Sequence, residues 1–208
     1  MNRYEFFDKI PAMKQNKRRQ IQWAYDLSKK YFEGHERDSG ERYYNHVVRV
    51  AGILIDHGYI KPRYIITGIL HDTPEDTYCP LSMLERLFGP RTTRHILSLS
   101  KSYCLEDPLT GKLIRCDKKP LAEYFASIKR DGECAIVVKA ADRIDNLSDL
   151  TADIIPERWT PEKRIKQVAE TRDWILPLVK NVEPRFEEKL IHLCNVVELR
   201  AKQDTAST

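Results

Sequence analysis

The chain lacks any stretch approaching the roughly 20 apolar residues that a bilayer span requires, and residues 1–17 lack the apolar core of a secretory signal. A cytoplasmic protein without a membrane partner is therefore expected. Cysteine is sparse: Cys79, Cys104, Cys116, Cys134 and Cys194 are scattered, odd in number and form no C-x-x-C pair. That excludes a disulfide framework or a zinc ribbon and leaves reduced thiols. A strong charge excess is also missing, since 35 Lys and Arg against 31 Asp and Glu give a formal net charge of +4. This balance suits a small anionic ligand. No long basic run interleaved with aromatics marks a nucleic-acid groove, and the one basic cluster, Lys14 to Arg19, reads as a solvated helix face. Strand signals are thin as well. The only β-branched cluster, Ile136 to Val138, runs on into an alanine-rich helical pattern, and no internal repeat is present.

What the chain does have is helical periodicity along most of its length. Apolar residues recur at helical spacing in Ile21, Ala24, Leu27, Tyr31; in Val47, Val50, Ala51, Leu54; and in Ile65, Ile66, Ile69, Leu70. The pattern returns in Leu84, Leu87, Phe88 with Gly89 as a stop, in Leu121 to Ile128, in Ile136 to Ile144, and in Phe186 to Val197. With 41% hydrophobic residues, 208 residues suffice for one domain with a sizeable core, and an all-α fold is expected. From Ser102 to Pro120, the breakers Pro108, Gly111 and Pro120 predict a long irregular loop carrying Lys112, Arg115, Lys118 and Lys119. Two further loops, Gly34 to Arg42 and Thr151 to Pro161, flank the candidate ligands described next. The small polar tail from about Gln203 is expected to fray.

Several metal-ligand side chains sit at the ends of apolar helical runs. His46 shares a helix with Val47, Val50 and Leu54, while His71 and Asp72 close the run Ile65 to Leu70. Pro74 disfavours α geometry at Thr73, so this helix should end or kink after Asp72 and present Glu75 and Asp76 beside the metal. Asp142 follows Val137, Val138, Ala140 and Ala141, so its carboxylate is either buried with a partner or bound to metal. Two imidazoles and two carboxylates leave positions open on a six-coordinate ion such as Mn²⁺ or Fe²⁺. Single histidines on helices are ordinarily satisfied or solvated, and His35, His57, His95 and His192 are read so.

Four segments together resemble the HD-domain superfamily, in the branch of the RelA/SpoT hydrolase domains and the small stand-alone alarmone hydrolases related to the metazoan SpoT homologue. They are Arg37-Asp38-Ser39-Gly40-Glu41 with Tyr43, His46 and Val50 to Leu54; His71-Asp72-Thr73-Pro74-Glu75-Asp76-Thr77; Lys139 to Leu147; and Trp159 to Arg164. The resemblance covers roughly Tyr31 to Val179. It implies an all-α helical bundle with a central metal site, in which Mn²⁺ is held by His46, His71, Asp72 and Asp142, with Fe²⁺, Mg²⁺ or Zn²⁺ as substitutes. Glu75 and Asp76 would position the attacking water. The implied substrate is a guanosine nucleotide with a 3′-diphosphate, the (p)ppGpp alarmone of the stringent response, and the implied product is pyrophosphate. Motif position puts Arg37 and Arg143 near the nucleotide and Asn146 against ribose or phosphate. Lys101, Lys112, Arg115 and Lys119 are candidate phosphate contacts, with a solvated surface as the alternative for the last three.

The implied organisation is an N-terminal helical extension at 1–30, the hydrolase domain at 31–180, a packed C-terminal helix at 181–202 and a disordered tail at 203–208. Without a following synthetase domain, a stand-alone hydrolase is implied, of open oligomeric state. Three positions depart from the family pattern. Asp145 stands where His or Tyr is common, and Arg42 and Tyr44 replace proline and isoleucine. Asp145 and the unusual entry loop keep another substrate open, an adenosine 3′-diphosphate, a nucleoside monophosphate or NADPH, and a nucleotide-binding module without turnover is a further reading.

Overall fold

Proline at the first turn starts a helix with its φ already set and no N–H to lose. The chain uses it at Pro62, Pro90, Pro161 and Pro184. In the computed structural model, which describes residues 2–206, the periodic segments fold as α1 (Arg3–Asp8), α2 (Gln15–Tyr31), α3 (Tyr43–Asp56), α4 (Pro62–Leu70), α5 (Thr73–Asp76), α6 (Leu81–Phe88) and α7 (Pro90–Leu99). A two-stranded hairpin follows, β1 (Ser102–Glu106) and β2 (Leu113–Lys118). Then come α8 (Leu121–Asp131), α9 (Glu133–Asp149), α10 (Pro161–Glu170), a π-helical turn at Thr171–Ile175, α11 (Leu176–Val179) and α12 (Pro184–Ala206). The fold is all-α with this one hairpin added. No helix among the described residues is long and apolar enough to cross a membrane.

α9 is the central element, and every residue from Cys134 to Asp145 is buried. Around it α3, α8 and α12 close an apolar group that includes Val50, Leu54, Phe125, Val137, Phe186 and Val197. A second group joins α1, α2, α4 and α6 through Phe6, Ile21, Ile65, Ile69 and Leu84. α3 serves both, turning Val50 and Leu54 to the first and Val48, Ala51 and Ile55 to the second. The site helices α3, α4 and α9 thus meet where the two apolar groups abut. The close approach of α4 to α3 rests on Gly68. A Cβ there would lie 2.8 Å from Leu54 Cδ1 and 3.4 Å from Ala51 Cα.

The segment expected to be an irregular loop is instead largely an antiparallel hairpin, with Leu105 opposite Ile114 and an irregularity between Ser102 and Cys104. Its turn is closed by Asp107, whose carboxylate accepts from the amides of Leu109 and Thr110 at 2.8 and 3.0 Å. The alternation was hidden because it is inverted. Tyr103, Leu105 and Ile114 face solvent, while Ser102, Cys104 and Leu113 turn inward. The expected frayed tail differs too: α12 continues through Gln203 to Ala206, anchored by the ion pair of Arg164 with Asp204 at 2.5 Å. Met1, at the start of the expected N-terminal extension, and Ser207 and Thr208, at the end of the expected tail, lie outside the described residues.

Gly68→Val should wedge α3 from α4 and cost about 1–3 kcal/mol in chemical denaturation, with Gly68→Ala milder because Leu54 can swing away. Native-like stability of the valine variant would contradict the close packing.

Candidate metal centre

The candidate ligands come from two helices and one turn. α4 ends at Leu70, so His71 and Asp72 occupy a turn, and the amides of Glu75 and Asp76 donate back to the Asp72 carbonyl at 3.0 and 2.9 Å to open α5. A break is present as expected, but it comes two residues earlier than predicted, and Thr73 itself opens α5. His46 comes from α3 and Asp142 from the middle of α9. One ligand atom from each of His46, His71, Asp72 and Asp142 falls within a sphere where all are at most 4.8 Å apart. His46 Nε2 lies 3.5 Å from Asp72 Oδ2 and 3.4 Å from Asp142 Oδ1, and His71 Nε2 lies 3.0 and 3.6 Å from the same atoms.

Each of the four side chains is also held by hydrogen bonds from outside the cluster or from the main chain. His71 Nδ1–H donates to the Gly68 carbonyl at 2.8 Å, leaving Nε2 buried without a hydrogen-bond partner. His46 Nδ1–H donates to Asp145 at 2.7 Å. Tyr43 Oη–H donates to Asp72 Oδ2 at 2.7 Å; Lys139 and Asn146 donate to Asp142 at 2.7 and 2.6 Å. Buried polar groups ordinarily have partners, so a His71 Nε2 that has none, set among carboxylates, is suited to hold a cation. Mixed imidazole and carboxylate donors fit Mn²⁺, Fe²⁺ or Zn²⁺ chemistry.

The electrostatics say the same. Burial alone would lower the His46 pKa, but hydrogen bonds to Asp142, Asp145 and Asp72 outweigh it and raise it to about 9. Burial of Asp142 would raise its pKa, yet the Lys139 charge and the two imidazoles hold it well below the carboxylate range. Protons thus occupy the space a cation would take. Asp76 is pushed up to about 6 by burial and the neighbouring charge of Asp72.

The cluster opens into a cavity of about 500 Å³, with Glu75, Asp76, Lys101 and Lys139 near the metal ligands. Farther out it is lined by Leu150, Ile154, Pro156 and Trp159 and by the loop residues Glu36 to Ser39. An Arg158–Asp38 ion pair joins the two loops that flank the cavity. Of the expected substrate contacts, Arg37, Lys101, Arg143 and Asn146 line this space, while Lys112, Arg115 and Lys119 do not. Arg115 donates to the Thr77 carbonyl at 2.6 Å and Lys119 to the Ser100 carbonyl at 2.8 Å, so both serve to dock the hairpin.

Arg143 is committed to Glu170, to the Gln167 side chain and, at 3.2 Å, to Thr171 Oγ1. Arg37 pairs with Asn146 at 2.8 Å and Asp149 at 3.0 Å. Lys101 differs. Its ammonium makes no hydrogen bond or ion pair among the described residues, and Lys139 and burial lower its pKa. The supporting roles of Tyr43, Arg49 and Lys139 were missed in the sequence because their partners lie on other elements or, for Lys139, in the same buried turn. Asp145, Arg42 and Tyr44 are not among the cavity-lining residues, so the three departures from the family pattern spare its walls.

The HD-domain profile matches residues 24–173. The chain is 27% identical over 210 residues to the GTP pyrophosphokinase rsh of Brucella melitensis biotype 1, covering 98% of this chain and 26% of that protein. It is 32% identical over 160 residues to a probable guanosine-3′,5′-bis(diphosphate) 3′-pyrophosphohydrolase of Synechocystis, covering 77% of this chain and 19% of that one. The chain therefore spans about a quarter or less of the length of these curated relatives. In fold it resembles a metazoan orthologue of SpoT that hydrolyzes ppGpp, with a TM-score of 0.70 at 21% identity over 88% of this chain and 96% of that one.

Because His46 is raised from 6.5 to about 9, its contribution to the metal-free fold is complete below pH 6.5 and is lost as pH rises through 9. A cation competes with those protons, so Mn²⁺ should raise Tm more at about pH 8.5 than at about pH 6, and His71→Ala should remove most of the shift. Scanning fluorimetry showing equal shifts at both pH values would contradict this competition.

Proposed function

The chain belongs to the HD-domain family, and from that premise we propose that it is a divalent-metal-dependent (p)ppGpp 3′-pyrophosphohydrolase. One juxtaposition carries the reading. A cluster of four candidate ligands, of which His46, Asp72 and Asp142 line the cavity, stands beside one ammonium there, Lys101, that makes no hydrogen bond or ion pair among the described residues. The first feature calls for a cation and the second for an anion. A phosphate ester beside a metal supplies both. The name of the Synechocystis relative and the activity of the metazoan orthologue of SpoT support the choice of ester.

In this reaction water adds to the phosphorus bonded to the 3′ oxygen, the P–O3′ bond breaks, pyrophosphate leaves and the 3′ oxygen takes up a proton. His46, His71, Asp72 and Asp142 would hold a divalent cation, which would supply Lewis acidity for activating water and for neutralising phosphoryl charge. Asp76, with its pKa near 6, is ionised at neutral pH and accepts the proton of the attacking water. Glu75 is oriented by the Lys101 amide, which donates to it at 3.2 Å, and aligns that water with Asp76. Lys101 Nζ binds the 3′-diphosphate. Arg37, Arg143 and Asn146 form the wall against which the nucleoside is oriented, and Leu150, Pro156 and Trp159 shield it from water. Asp145 is not among the cavity-lining residues, which removes one of the two grounds for another substrate; the entry loop, the other ground, does line the cavity.

Purified protein with Mn²⁺ should convert ppGpp to GDP and pyrophosphate, and His46→Ala or Asp72→Ala should lower kcat/KM by more than about 100-fold. Lys101→Ala should raise KM by about tenfold, the effect of one lost charge-assisted contact. Recovery of unchanged ppGpp after long incubation would make the protein a nucleotide-binding module. Preference for a nucleotide without a 3′-phosphate would reassign the substrate.

The acid limb of kcat/KM should rise through an apparent pKa at or below about 6, since a nearby cation favours the carboxylate, and the limb should vanish in Asp76→Asn. A limb unchanged in that variant would assign the base elsewhere.

A further inference from the structure

Among the four buried charges on α9, Asp145 alone does not line the cavity. Its Oδ2 accepts from His46 Nδ1–H at 2.7 Å, and its Oδ1 accepts from Arg49 Nε at 2.7 Å. Arg49 Nη2 adds a second bond to Oδ2 at 3.0 Å, and Nη1 reaches both carboxylate oxygens of Glu41 at 2.7 Å. A carboxylate, a guanidinium and a second carboxylate are thus stacked behind one imidazole.

An imidazole binds a cation through one nitrogen while the other keeps its proton, and the partner of that proton fixes both the tautomer and the plane of the ring. For His71 the partner is the Gly68 carbonyl, three residues back in the main chain, so its aim is set by the backbone. For His46 it is a side chain 99 residues away. An ion pair tying α3 to α9 would need only Arg49 and Asp145. The shared Oδ2 does more, because the two Arg49 bonds lock the carboxylate in the plane from which it meets Nδ1.

We propose that Asp145 is a positioning residue that fixes the tautomer and aim of His46, with Arg49 and Glu41 holding Asp145 in place, and that it acts on cation affinity without touching substrate. This rests on the metal reading of the cavity.

The test uses the full chain stripped of metal and titrated with Mn²⁺ by calorimetry. Asp145→Ala should bind roughly 10- to 100-fold more weakly. Asp145→Asn, which keeps an acceptor oxygen for Nδ1–H, should recover most of that loss. An alanine variant within about twofold of the unaltered chain overturns the proposal, as does an asparagine variant as weak as alanine. If Asp145→Ala does not fold, the unaltered chain decides. In ¹⁵N spectra of the Zn²⁺-loaded protein, the His46 proton should sit on Nδ1, and a proton on Nε2 overturns the proposal. Absence of Mn²⁺ binding by the unaltered chain would instead defeat the metal reading itself.

Discussion

Four charged side chains buried on one helix are the constraint around which the rest of the molecule is arranged. α9 is walled by Val137, Val138, Ala140, Ala141, Ile144 and Leu147, yet it also buries Lys139, Asp142, Arg143 and Asp145. Taking such groups out of water is tolerable only when each finds a partner, and removing a partner from a buried pair costs about 3–5 kcal/mol. Lys139 reaches Asp142 one turn along, while Arg143 reaches Glu170 on α10. Asp145 takes His46 and Arg49 from α3. Gln167 and Glu170 at the end of α10 and Thr171 at the start of the π-helical turn all face Arg143. Helix positions that look like packing choices are also answers to charge.

The same commitments give the cavity its selectivity. Acidic groups outnumber basic ones along its walls, and nearly every cation present is already paired. A divalent cation at the ligand cluster would cancel the negative charge of the inner end, leaving Lys101 free to meet an anion. Anion and metal therefore depend on one another: without the metal, the inner end would repel phosphate.

The cluster that could hold a metal was legible in the sequence because imidazoles and carboxylates stand out at the ends of apolar runs, as His71-Asp72 does after Ile69-Leu70. The helices were legible for the same reason of periodicity. The hairpin was not, because its apolar residues Tyr103, Leu105 and Ile114 point outward and the pattern mimics a loop. Nor could the phosphate contacts be sorted from sequence. Lys101 and Lys119 are both basic residues near breakers, and only the folded chain distinguishes an ammonium facing the cavity from one spent on backbone carbonyls. Asp145 read as a threat to phosphate until its partners on α3 were visible, since nothing local to Asp145 shows that His46 and Arg49 face it.

The Asp38–Arg158 pair has a kinetic meaning. Arg158 is two-thirds exposed, and an ion pair of that kind contributes only about 0–1 kcal/mol, less as salt rises. The two loops are therefore clasped by a bond of the order of thermal energy. Such a clasp joins the two loops without fixing them, and under the proposed function a polyanion that offered Arg158 a better partner would release it.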